Sequence, residues 1–134
     1  MQMKPVLGLA EANRILEAAR AEAERNGWKV AIAVVDDGGH PIALAKLDGT
    51  APVSSYMAME KARTSSLGRR ESRLYEEMIN GGRTAFVTAP LVAALEGGVP
   101  IIVDGHFVGA VGVSGVKSDQ DAQIAKAGIQ SILP

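Results

Sequence analysis

The 134-residue chain contains no cysteine. This absence excludes disulfides, thiolate metal sites, a cysteine-ligated haem and a cysteine nucleophile. Aromatic residues are also scarce, with one Trp, two Tyr and two Phe. The two histidines, His40 and His106, are too few for a three-histidine metal site. Imidazole chemistry in this protein therefore depends on one of two positions.

An excess of charge of one sign and long apolar runs are missing as well. Fourteen Lys and Arg against fifteen Asp and Glu leave a formal net charge of −1, which predicts no nucleic-acid partner. No apolar run is long enough to span a bilayer, which predicts no membrane partner. The N-terminal sequence MQMKPVLGLAEAN lacks the apolar centre of a signal peptide, so we expect a cytoplasmic protein. The length fits one domain over residues 1–134.

Three segments have the apolar spacing of amphipathic helices, and a charged stretch between them contains a fourth candidate. The predicted helices are Leu9 to Asn26, Val53 to Gly68 and Ser118 to Leu133, with a short one at Leu74 to Ile79. The last helix is expected to open with the capping box Ser118-Asp119-Gln120-Asp121.

Two hairpins are indicated by tight turns between apolar runs. Asp36 to Gly39 joins Trp28–Val35, which is apolar on both faces, to His40–Leu47. Asp104-Gly105 joins Pro100–Val103 to Phe107–Val113. A further short strand is expected near Leu91 to Leu95. Turns this short exclude parallel crossovers, so the order of elements predicts an α+β fold with an antiparallel sheet.

Glycines interrupt the last predicted strand, at Gly109 and Gly112. Glycine weakens a strand, so its repeated use indicates a close approach by a packing helix, another subunit or a ligand. The connection from Gly112 to Asp121 leads into a helix start, where free N–H groups can bind an anion. We therefore expect this connection to border a ligand site.

Four segments together resemble a known family over nearly the whole chain. They are AIAVVDDGGHPIALAKLDGT, MEKARTS, GGVPIIVDGHFVGAVGVSG and DQDAQIAKAG. They look like the GlcG/HbpS-like family, often called haem-degrading or haem-binding, which is similar to the C-terminal domain of PduO-type cobalamin adenosyltransferases. The resemblance implies a profilin-like fold with a five-stranded antiparallel sheet, helices on both faces and a homo-oligomer. Arg69 to Thr84 departs from the common pattern.

The resemblance directs attention to His40, which matches the histidine of the family's GGH motif. His106 follows a hairpin turn, where the family tolerates many residue types. Neutral imidazole is a natural ligand of haem iron, so His40 is the preferred metal ligand. Tyr56 and Tyr75 are alternative phenolate ligands, although tyrosines at apolar helical spacing are more often core residues.

Other polar residues have both a structural and a functional interpretation. Asp36, Asp37 and Asp48 offer carboxylates, but Asp is favoured in glycine-rich turns for its local backbone hydrogen bonds. Lys61 and Arg63 match the family's K-A-x-T neighbourhood, and a polar network between helices or subunits is their structural alternative.

Two classes of function follow. In the first, the protein binds haem or a related tetrapyrrole for sensing or degradation, with His40 on iron and Lys61, Arg63 or Arg83 paired with propionates. In the second, it is an enzyme or accessory protein in the catabolism of a small carboxylic acid such as glycolate or an aromatic-degradation intermediate. Arg63 or Arg83 then clamps the carboxylate, and Ser114 to Ser118 supplies N–H donors.

The sequence also predicts a homo-oligomer of two or more chains. Trp28–Val35 and Phe107–Val113 are apolar on both faces, whereas Arg69–Thr84 is too polar to cover much sheet. Small residues on the second helix, including Ala58 and Ala62, permit close contact with a partner or with the chain's own sheet. Light scattering at low micromolar concentration should give at least twice the 14.0 kDa chain mass. A stable monomer with cooperative unfolding would contradict this prediction.

Overall fold

The computed structural model describes residues 1–134 and contains four α-helices, a short 3-10 helix and four strands. In chain order they are α1 (Leu9–Arg25), β1 (Ala31–Asp36), β2 (Pro41–Lys46), α2 (Val53–Gly68), α3 (Ser72–Asn80), the 3-10 helix (Thr84–Thr88), β3 (Gly98–Val103), β4 (His106–Ser114) and α4 (Ser118–Gln130). The predicted mixture of helices with an antiparallel sheet is confirmed. None of the helices is both long enough and apolar enough to cross a membrane.

The sheet has the strand order β2-β1-β4-β3, and every neighbouring pair is antiparallel. Both predicted hairpin turns are present. Asp104 and Gly105 take positive φ angles of 50° and 76°, the backbone that a two-residue hairpin turn requires. β1 and β4 occupy the centre of the sheet, which explains why both strands are apolar on both faces.

The expected fifth strand near Leu91 to Leu95 is wrong, because this segment is irregular and the sheet has four strands. Pro90 lacks an N–H for a strand ladder, and Leu91 N–H instead closes a tight turn onto the Ala89 carbonyl. The Leu95 carbonyl accepts a hydrogen bond from the Ser72 hydroxyl on α3. Backbone groups that a strand would use are therefore bonded locally or to α3.

The two faces of β1 bury different sets of side chains, as predicted from its alternation. Ile32 and Val34, with Val30 just before the strand, belong to the main core, together with residues of α1 and α4 such as Ile15 and Ile124. On the opposite face, a smaller cluster of mostly small side chains packs under α2; it comprises Ala31, Ala33, Val35, Ala58, Ala62 and Ala110. Helices of the same chain thus cover both faces of the sheet, so the apolar strands by themselves require no partner.

Glycines in β3 and β4 allow α2 to lie directly on the sheet. A Cβ atom placed on Gly112 would be 2.0 Å from the Ala58 carbonyl oxygen, and one on Gly98 would be 2.2 Å from the Lys61 carbonyl oxygen. Of the three explanations offered for Gly109 and Gly112, the packing helix is correct for Gly112, whereas a Cβ on Gly109 would lie 2.2 Å from the Val35 carbonyl oxygen of the neighbouring strand. None of the five cavities is lined by residues 112–121, and the ligand site expected beside this connection stays a prediction.

We predict that Gly112→Ala destabilises the protein, because the added methyl group meets backbone atoms of α2 that cannot rotate away. Overpacking of this kind costs about 1–3 kcal/mol, and backbone contacts place Gly112→Ala at the upper end. Urea unfolding gives the measurement. Gly8→Ala is the matched control, because its methyl would meet only the flexible end of Glu11 at 3.0 Å. Equal losses in the two variants would contradict the close helix–sheet contact.

Candidate functional site

The turn between β1 and β2 is organised around one carboxylate. Asp36 Oδ1 accepts hydrogen bonds from the backbone N–H groups of Gly38 and His40, both at 2.9 Å. His40 Nδ1 lies 3.0 Å from the same oxygen and 3.2 Å from Asp36 Oδ2. The predicted turn role of Asp36 is confirmed, and the aspartate also orients the imidazole ring.

Each of the two positions before His40 requires glycine for a different physical reason. The ring of His40 folds back over Gly38, where a Cβ would lie 2.8 Å from His40 Cε1. Gly39 has a φ of 78°, and a Cβ there would lie 2.9 Å from Arg63 Cγ on α2. The GGH sequence therefore makes room for the ring on one side and for α2 on the other, and Arg63 lies against the glycine that precedes His40.

Hydrogen bonds stabilise the ionised forms of the two aspartates in this turn, Asp36 and Asp37. Burial alone would raise the pKa of Asp36, but the backbone N–H groups of His40 and Gly38 outweigh it and hold the pKa below its usual range. The hydrogen bond from Lys4 lowers the pKa of Asp37. Because an ionised carboxylate only accepts, the Nδ1 atom of His40 must carry the shared hydrogen.

His40 thereby keeps its second ring nitrogen free. Nε2 has no hydrogen-bond partner in the structure, and 78% of the side chain is exposed. His106 differs, because its Nδ1 lies 3.5 Å from the Gln2 side-chain amide and no carboxylate contacts it. Of the two histidines, His40 alone has an orienting carboxylate and an unbonded nitrogen available to a metal.

The outward side of α2 carries four residues at three- and four-residue spacing, which places them in one row. The row consists of Tyr56, Glu60, Arg63 and Leu67. Tyr56 is 75% exposed and Leu67 is 48% exposed, so both ends of the row present apolar surface to solvent. Arg63 Nη1 donates to Glu60 Oε1 at 3.0 Å. The core position expected for Tyr56 is wrong, whereas Tyr75 on α3 is buried, as core tyrosines are.

An apolar cleft of about 610 Å³ opens beside the Tyr56 end of this row. It lies between α2, α3 and the irregular segment 92–95, with Met57 and Ile79 among its apolar walls. Glu60 and Glu76 also line it. Two carboxylates disfavour a small anionic acid in this cleft, whereas its apolar walls suit the hydrocarbon part of a larger ligand.

Lys61 lies on the opposite, buried side of α2. Its Nζ donates to the Val113 carbonyl at 3.1 Å and to Asp121 Oδ2 on α4 at 3.2 Å, and both charged side chains are 3% exposed. Asp121 Oδ1 accepts the Val116 N–H at 3.2 Å. Burial raises the pKa of Asp121, and the nearby Lys61 ammonium opposes that rise. The structural alternative for Lys61, an interhelical polar network, matches this geometry.

Sequence reasoning missed the role of Asp121, which it placed in a capping box. Ser118 is the first residue of α4, and the Gln120 side chain accepts the Lys117 N–H instead, so the predicted capping box is wrong. Asp121 turns inward to Lys61. The one available signal was a carboxylate at a position where the helical pattern requires a buried residue.

The remaining predicted site residues lie apart from His40. Ser114 pairs with Ala31 at the opposite end of β1 from Asp36, about 17 Å away at strand spacing. Arg83 follows α3 and places its guanidinium 4.8 Å from the Phe86 ring centroid. The structure thus places Arg63 beside the turn that carries His40, and the ligand-binding roles of all five predicted residues stay predictions.

Fold and site together define a small α+β protein with a surface imidazole near the Leu67 end of α2 and an apolar cleft near the Tyr56 end. The family described as "Haem degrading protein HbpS-like" matches residues 7–130, so the chain belongs to the HbpS-like family. It is 58% identical to Protein GlcG of Escherichia coli strain K12 over 114 residues, 85% of each chain.

Solved structures agree with this assignment. A double mutant of Streptomyces reticuli HbpS superposes with a TM-score of 0.88 at 30% identity, covering 98% of this chain and 90% of that one. A PduOC protein solved as a haem complex has a TM-score of 0.87 at 23% identity, with 96% of each chain covered. At that identity, the PduOC likeness establishes the shared fold.

The buried pair predicts a large loss of stability in Lys61→Met, because Asp121 would stay buried without its cationic partner. Breaking a buried ion pair costs about 3–5 kcal/mol. The apolar double variant Lys61→Met/Asp121→Leu is the control and should recover at least part of this loss in a double-mutant cycle measured by urea unfolding. Single-variant losses that simply add would contradict a coupled pair.

The same variant should respond to pH. Removing the ammonium raises the folded-state pKa of Asp121 further above its unfolded value, so the folded state binds the proton more tightly. The stability deficit of Lys61→Met relative to the wild type should therefore be largest at neutral pH. It should shrink as pH falls through the raised pKa of Asp121.

Proposed function

We propose that the protein binds haem at the Asp36–His40 turn, with His40 Nε2 as the iron ligand. The observation that carries this proposal is the orientation of the ring, in which Nδ1 is bonded to Asp36 and Nε2 has no partner. Haem bound there would supply an iron centre able to bind small ligands or exchange electrons. The chain's residues would fix the orientation of the ligand ring and pair with the charged edge of the porphyrin.

The neighbouring residues fit the chemistry of haem. Arg63 uses Nη1 for Glu60, and its guanidinium has further N–H donors for a propionate. Leu67 offers apolar contact at the same end of α2, where its side chain is half exposed. Imidazole, guanidinium and exposed apolar carbon are the three kinds of group that a haem site combines.

Membership of the HbpS-like family supports the haem proposal, because the family's description names haem degradation. The haem complex of PduOC adds that a protein of this fold can hold the cofactor. Sensing and degradation are two outcomes of the same binding step, and either would begin with the iron ligated by His40.

We also propose that the protein works as a homo-oligomer. Three large apolar side chains on neighbouring parts of the surface are mostly exposed; they are Leu44, Tyr56 and Val92. A second chain that covered them would also enclose the cleft beside Tyr56. This surface, rather than the two-faced strands, is the structural support for assembly.

The first test is titration of the purified protein with hemin, followed by the Soret band. His40→Ala should weaken binding by at least about tenfold, equivalent to ~1.4 kcal/mol. His106→Ala, the matched control, should bind as the wild type does. Arg63→Ala should weaken binding less than His40→Ala, because it removes a peripheral ion pair and leaves the iron ligand in place.

Equal titration curves for the wild type and both histidine variants would overturn the assignment of His40. A wild type without a Soret response, but with a thermal shift on addition of glycolate or a related acid, would instead favour the small-acid function. In that case Arg63→Ala should abolish the thermal shift.

A further inference from the structure

We propose that Asp36 is a positioning residue that makes the haem site selective for ferric over ferrous haem. This inference rests on the proposed function, because it requires His40 to be the iron ligand. It goes beyond that function by assigning a redox preference and the residue that sets it. The assignment starts from the contacts within the β1–β2 turn.

The carboxylate of Asp36 is fixed before any ligand binds. Its Oδ1 atom accepts the Gly38 and His40 N–H groups at 2.9 Å, and the oxygens face His40 Nδ1 at 3.0 and 3.2 Å. One side chain therefore shapes the turn and bonds the ring. Gly38 leaves room for the ring in this position, because a Cβ on that residue would lie only 2.8 Å from His40 Cε1.

A hydrogen bond from Nδ1 to a carboxylate increases the electron density at Nε2. An imidazole so bonded is a more basic ligand than one bonded to water or to a carbonyl group. A more basic axial ligand stabilises the higher charge of ferric iron and lowers the reduction potential of the haem. The expected consequence is tighter binding of ferric haem than of ferrous haem.

The same turn contains a matched control. Asp37 is the next residue, carries the same charge and pairs with Lys4, and it makes no hydrogen bond to His40. Asp36→Asn and Asp37→Asn each remove one negative charge near the proposed iron position. Only Asp36→Asn also removes the charged acceptor on Nδ1, and asparagine retains an Oδ1 atom for the backbone N–H groups of the turn.

The decisive experiment measures binding of hemin and of dithionite-reduced haem under anaerobic conditions, together with the reduction potential of the complex. Asp36→Asn should lower the ratio of ferric to ferrous affinity by about tenfold, which corresponds to a rise of ~59 mV in potential. Asp37→Asn should stay close to the wild type. Equal shifts in both variants would assign the effect to net charge and overturn the role of Asp36.

A second measurement needs no haem. Nitrogen NMR of the haem-free protein above pH 7 should show His40 with its hydrogen on Nδ1, and Asp36→Asn should reduce the population of that tautomer. An Nε2–H tautomer in the wild type would overturn the inference whatever the haem results. Failure of the wild type to bind hemin, with the Nδ1–H tautomer present, would instead refute the proposed function and with it any redox selectivity.

Discussion

The buried contact between Lys61 and Asp121 is the constraint on which the other layers depend. α2 covers one face of the sheet and α4 the other, and the Lys61 ammonium bonds both Asp121 and the Val113 carbonyl at the end of β4. Few arrangements satisfy an ammonium group away from water. The pair therefore sets the position of α2 along the strands, and that position determines which residues form its outward row.

Helix position in turn builds the candidate site. Gly112 and Gly98 let α2 approach the strands, and the Ser66 hydroxyl donates to the Asp36 carbonyl at 2.6 Å, which ties the end of the helix to the end of β1. The β1–β2 turn consequently lies over Arg63. An imidazole on a mobile loop would lose conformational entropy on binding any ligand, whereas the His40 ring is already held by Asp36.

Local patterns were sufficient to predict the antiparallel hairpins and the burial of both faces of β1, because each depends on neighbours within a few residues. They failed where distant segments meet. Lys61 and Asp121 are 60 positions apart. The spacing of residues along the chain therefore cannot show whether Lys61 forms a structural ion pair or binds a ligand propionate. The cleft is formed by three separate segments, and its irregular wall at 92–95 was mistaken for a strand because apolar composition alone cannot show that a backbone has other partners.

The division of α2 into a tightly seated inner side and an open outer side has an evolutionary consequence. Substitutions toward the strands encounter backbone atoms at contact distance, whereas Tyr56 and Leu67 project into solvent. Selection can therefore exchange residues of the outer row without moving the helix that carries them. A scaffold of this kind can acquire new ligands at the same position in the fold, and relatives with the same architecture are free to differ in what they bind.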